Sequence, residues 1–125
     1  MTAKELRIGN YVYLMLNHQD YETLSVTTKD LEYIGKKQGD YQPIPLTKEW
    51  LVKFGYTETG FMGFEKGFSN NSILHIQFMA GGVITGFIEG DSTYNLIGKI
   101  DFVHQLQNLF FALRGEELTT TKEIE

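Results

Sequence analysis

Residues 101–115 carry apolar side chains at helical spacing: Phe102, Val103, Leu106, Leu109, Phe110 and Leu113, with a glycine directly after Arg114. Offsets of three and four place these groups on one stripe of an α-helix. Asp101 as N-cap suits the positive end of the helix dipole, Arg114 suits the negative end, and Gly115 takes the left-handed position that stops the helix. A stripe that broad has to be covered. The rest of the chain offers mainly strand-forming sequence to cover it, which predicts an α+β fold with a C-terminal amphipathic helix packed on an antiparallel sheet.

Strand patterns fall into two groups. Leu6–Leu16 and Thr23–Thr28 read as strands, and Leu31, Tyr33 and Lys37 continue as a third strand broken by Gly35. In the first of these, Leu6 and Ile8 fall on one side as a half-buried strand requires. Together they predict a meander similar in plan to a small SH3-like barrel. Tyr41–Leu46 contains Pro43 and Pro45, each of which holds its predecessor extended. Thr47 then caps a short helix whose Trp50, Leu51 and Phe54 share a face and which ends at Gly55. Phe61–Glu65, Ile73–Met79, Val83–Glu89 and Tyr94–Ile100 predict a second meander, turning at Ser69–Asn71, Gly81–Gly82 and Gly90–Ser92. No linker separates the halves, so residues 1–115 are expected to form one domain. The acidic segment 116–125 is expected to be a mobile tail.

The 125 residues include no cysteine, which excludes disulfides, thiolate metal sites and cysteine nucleophiles. No apolar run approaches the ~20 residues of a membrane span, and Met1–Arg7 opens no signal peptide. A cytoplasmic protein is the expectation. Lys and Arg number 11 against 16 Asp and Glu, a formal charge of −5. The whole deficit lies beyond residue 56, and Lys36-Lys37 is the densest basic group. Such a chain does not present the field that bulk nucleic-acid binding needs.

Motifs for catalysis are absent. His18, His75 and His104 lack the i, i+4 or i, i+2 spacing of a metal pair. Gly81-Gly82 is followed by no helix and no Lys-Ser/Thr pair, so it reads as a hairpin turn rather than a phosphate cradle. Glu116-Glu117 lies in the predicted tail, where two-carboxylate chemistry lacks rigid support. No metal or cofactor is expected, and binding is expected rather than turnover. The candidate binding residues are His104, Gln107, Asn108 and Phe111, which helical offsets gather on the flank opposite the apolar stripe. Imidazole, amides and an aromatic face suit a planar heterocycle. The plainer alternative is that they bridge to neighbouring backbone and solvent.

Three segments, Leu6–Val12 (LRIGNYV), Pro43–Tyr56 (PIPLTKEWLVKFGY) and Val103–Leu118 (VHQLQNLFFALRGEEL), carry a resemblance. The set resembles a family of small proteins of phages, prophages and mobile elements of Bacteroides-type bacteria. The segments cover about a third of the chain; residues 17–38 and 60–95 share no motif with it. The resemblance implies context, not chemistry: an accessory protein in a host cytoplasm that inhibits host defence by sequestering a nucleotide signal or gripping a host protein. Homo-oligomerisation fits the aromatic content. The alternatives are an SH3-like structural or nucleic-acid-associated adaptor, and a small nucleotide hydrolase.

Overall fold

A computed structural model describes residues 1–60, 63–68, 72–80, 82–89 and 93–120. The chain divides into two compact units, one built from Met1–Pro45 with Phe102–Leu118, the other around Leu46–Asp101. The sequence, with no linker between its two strand groups, predicts one domain in which the two meanders are lobes of a single fold. The α+β class holds in both units.

In the first unit a three-stranded antiparallel sheet has the order β2-β1-β3, with β1 at Tyr11–Met15, β2 at Tyr21–Ser25 and β3 at Tyr41–Gln42. Between β2 and β3 the chain forms helix α1 (Thr28–Gly35), not the predicted third strand of an SH3-like meander. The reason is local. Thr27 and Asp30 cap one another reciprocally, Thr27 N–H donating to Asp30 Oδ2 at 2.9 Å and Asp30 N–H to Thr27 Oγ1 at 3.3 Å. Leu31 and Ile34, three apart, then share a helix face, and both pack against the buried core of Leu6, Val12 and Val26. Lys37, at φ 59°, takes the chain out of the helix.

The N-terminal segment also departs from expectation. A 3₁₀ turn occupies Ala3–Glu5, and a β-turn follows in which Asn10 N–H donates to Arg7 C=O at 3.0 Å. Gly9, at φ 97°, supplies the positive φ that this turn needs at its third position. Leu6 is therefore buried while Ile8, at the turn's tip, is 60% exposed; they do not share a side.

The C-terminal helix α3 runs Val103–Arg114 with Phe102 as its N-cap, one residue later than the predicted Asp101, and Gly115 ends it at φ 73°. The side chain of Gln105 reaches back to accept from Phe102 N–H at 3.1 Å, which is the cap. Val103, Leu106 and Phe110 are buried as the stripe requires, Leu109 is half-buried and Leu113 is 39% exposed. Beyond it, within the segment expected to be a tail, Leu118 is 2% exposed and Glu117 holds Arg7. Residues 121–125 of the expected tail lie outside the described residues.

The second unit begins with helix α2 (Lys48–Lys53), capped by Thr47 Oγ1 accepting from Trp50 N–H at 3.4 Å. A five-stranded antiparallel meander follows in sequence order: β4 (Thr57–Gly60), β5 (Gly63–Phe68), β6 (Ser72–Met79), β7 (Gly82–Glu89) and β8 (Thr93–Lys99). Phe64 opposes Ile76 and Ile76 opposes Thr85, a row buried on one face. The sequence missed only β4, whose residues are all exposed. Of the predicted turns, only Gly82 lies within the described residues. No helix among the described residues is long and apolar enough to cross a membrane.

Candidate functional site

Helix α3 brings His104, Gln107, Asn108 and Phe111 to one flank, as their spacing requires, but that flank is not open. His104 and Gln107 are each 1% exposed. What covers them is the backbone of residues 5–11. Gln107 Oε1 accepts from Tyr11 N–H at 2.8 Å, and its Nε2 donates to Gly9 C=O at 3.1 Å. Asn108 Nδ2 donates to Glu5 C=O at 2.8 Å, and its Oδ1 accepts from Asn10 Nδ2 at 2.9 Å. The amides expected to meet a heterocycle are thus bonded to the chain's own N-terminal segment. These bonds match the plainer alternative.

Phe111 keeps 39% of its surface exposed, and the Arg7 guanidinium lies 4.2 Å from its ring centroid. Arg7 also grips Glu117 through two parallel bonds, at 2.8 and 3.1 Å. The planar fork of Arg matches a carboxylate and an aromatic face at once. Arg7 Nε, buried, has no hydrogen-bond partner among the described residues.

His104 lies parallel to the Phe102 ring, centroids 6.0 Å apart, with Nε2 at a long 3.5 Å from Glu5 Oε1. Its Nδ1 has no hydrogen-bond partner among the described residues. Burial holds the His104 pKa below the ordinary histidine value, and the Glu5 carboxylate only partly opposes this. Glu5 itself is held below the usual carboxylate range, chiefly by accepting from Thr2 N–H. A neutral buried imidazole beside a carboxylate serves packing here, with no nucleophile in hydrogen-bond reach among the described residues.

The other face of the sheet is half-buried along β1 and exposed at Tyr21. Val12 and Leu14 of β1 point inward with Leu24 and Tyr41, so Tyr11, Tyr13 and Met15 point outward. Tyr13 and Tyr21 sit diagonally across β1 and β2 with ring centroids 4.3 Å apart and planes at 49°. Burial and the neighbouring Tyr21 raise the Tyr13 pKa. Tyr21 stays 52% exposed. Met15, directly opposite Tyr21, continues this face into an open cleft of about 410 Å³ lined by Met15, Leu16, Asn17, His18 and Asp40. Asp40 Oδ1 accepts from Gln42 Nε2, at 2.6 Å, and Gln42 is the β3 partner of Tyr13. Asn17 is committed to its own turn, accepting from Gln19 and Asp20 N–H and donating to Asp20.

Sequence reasoning missed Tyr13, Tyr21, His18 and Asp40. The signal is present: Tyr11, Tyr13 and Met15 alternate with Val12 and Leu14, which puts two tyrosines and a methionine on the outward face. Among the described residues, no group of three or more His, Asp and Glu side chains comes together as a metal site. No protein-family model, curated protein or solved structure matches the chain.

Proposed function

We propose that this protein acts by binding rather than by turnover, and that it holds a planar, nucleotide-like ring system on the outward face of the β2-β1-β3 sheet. The observation that carries this reading is the Tyr13–Tyr21 pair beside the cleft at Met15. Of the two rings Tyr21 is exposed and Tyr13 half-buried; an exposed aromatic ring on a sheet is a stacking platform, worth about 1–3 kcal/mol per stacked base. The cleft volume lies within the ~300–1,000 Å³ of small-molecule sites. No Lys or Arg lines it, while Asp40 offers an acceptor to ring N–H or amino groups. The heterocycle is therefore the recognised part, and any phosphate points away from the cleft. Sequestering such a ligand fits the role in countering host defence that the resemblance to phage and mobile-element proteins implies.

The test is binding by the full chain to a panel of nucleobases, nucleosides, mononucleotides and cyclic dinucleotides, followed by calorimetry and thermal shift. Binding of a planar ring is expected, weakened about tenfold or more by Tyr21→Ala. Mass spectrometry of the released ligand is expected to return it unchanged. Absence of binding across the panel up to millimolar concentration, or recovery of a chemically altered ligand, would reject the reading.

A further inference from the structure

Among the described residues the two sheets have four edge strands, and three of them are blunted against further pairing. β3 is two residues long and runs straight into Pro43. β4 breaks register between Glu58 and Gly60, with Gly60 at φ 101°. β8 breaks register opposite Thr85 and Gly86, where Ile97 has no partner and Gly98 sits at φ 148°. Short strands and bulges are the usual means of preventing edge-to-edge association. β2 has neither. Its five residues pair with β1 without a break, and they include no proline, lysine or arginine.

The direction of its backbone groups follows from two bonds at the ends of the hairpin. Val26 N–H donates to Asn10 C=O and Leu16 N–H to Asp20 C=O, both at 2.8 Å. In an antiparallel ladder this makes Val12–Leu24 and Leu14–Glu22 the hydrogen-bonded pairs. The N–H and C=O of Tyr21, Thr23 and Ser25 consequently point away from β1, and they bond to no described residue.

We infer that β2 is a self-pairing edge, by which two copies of this chain join their three-stranded sheets into one six-stranded sheet. The set Tyr21, Thr23 and Ser25 is symmetric about Thr23, so a two-fold axis there places Thr23 opposite Thr23 of the second copy and Tyr21 opposite Ser25. About six backbone hydrogen bonds result, two for each facing pair. Threonine pairs are among the favourable cross-strand matches, and Glu22 falls opposite Leu24 rather than against a like charge. The interface is isologous and therefore closes as a dimer. This inference is independent of ligand binding, because it uses the edge of the sheet and not its face.

The experiment is sedimentation velocity and native mass spectrometry of the full chain from low to high micromolar concentration, with amide hydrogen exchange at both extremes. Doubling of the mass is expected, together with slowed exchange at Tyr21, Thr23 and Ser25 in the concentrated sample only. Thr23→Pro removes an outward N–H and leaves the bonds to β1 intact, whereas Thr23→Lys sets two ammonium groups at the axis. Each is expected to weaken the dimer more than tenfold. If Thr23→Pro fails to fold, Thr23→Lys and the exchange pattern of the unmodified chain decide. A single-chain mass at every concentration overturns the inference. So does a dimer that survives Thr23→Lys with these amides exchanging freely.

Discussion

The side chain of Gln107 completes strand β1 at Tyr11. Beside β1, strand β3 reaches only Tyr13 and Leu14, so the Tyr11 N–H on that side has no strand to meet. Gln107 Oε1 takes its place at 2.8 Å, while Nε2 ties down Gly9 C=O in the preceding turn. Helix and sheet of the first unit are therefore joined by hydrogen bonds as well as by apolar contact.

Gln107→Leu keeps the volume but strands both backbone groups. An unpaired buried polar group costs about 1–3 kcal/mol, so a loss of about 2–4 kcal/mol is expected from urea unfolding. A loss below about 1 kcal/mol would show that water replaces the amide without penalty.

Along the apolar stripe of α3 the cost of truncation should follow burial rather than position. Phe110, 6% exposed, is expected to cost about 3–5 kcal/mol on truncation to Ala. Leu113, 39% exposed, should cost under about 1 kcal/mol. Equal losses in chemical denaturation would contradict the observed orientation of the helix.

What could be read in advance was whatever neighbouring residues decide. Helix α2 announces itself through Thr47 and Gly55, and β6, β7 and β8 appear within a residue or so of their predicted bounds. Residues 28–35 suggest a strand because Leu31 and Tyr33 alternate, while the cap that decides for helix uses Asp30 where Glu or Gln is the familiar partner. The bonding of the α3 flank is hard to read in the sequence for a different reason. His104, Gln107 and Asn108 are polar, and polarity suggests solvent, but here the partner is the backbone of residues 5–11. Backbone N–H and C=O groups are the same for nearly every residue, so no sequence pattern announces that they will lie against a helix.

Tyr56 is 4% exposed, and its hydroxyl has no hydrogen-bond partner among the described residues. Burial pushes its pKa well up. Tyr56→Phe removes a polar group that lacks compensation and leaves the ring in place. Stability is expected to stay level or rise by up to about 1 kcal/mol. A drop of more than about 1 kcal/mol in the unfolding free energy would reveal a bound water or another partner at that oxygen.

His104 makes stability depend on pH in a defined direction. Its folded pKa lies below the ordinary value of 6.5, because burial disfavours the imidazolium more than Glu5 favours it. In the interval between the two values the unfolded chain binds the proton more readily, so the slope of unfolding free energy against pH is positive there. The contribution is complete above about pH 7 and declines as the pH falls through 6.5 toward the folded value. Glu5 acts in a lower window: with its pKa depressed below 4.5, the stability it confers is present above 4.5 and is lost on further acidification. Urea midpoints at stepped pH should fall between neutrality and pH 5 in the unmodified chain. In His104→Gln, which cannot titrate, that segment should be flatter while the loss below pH 4.5 remains. Parallel curves for the two proteins would place the titration elsewhere and remove His104 from the account.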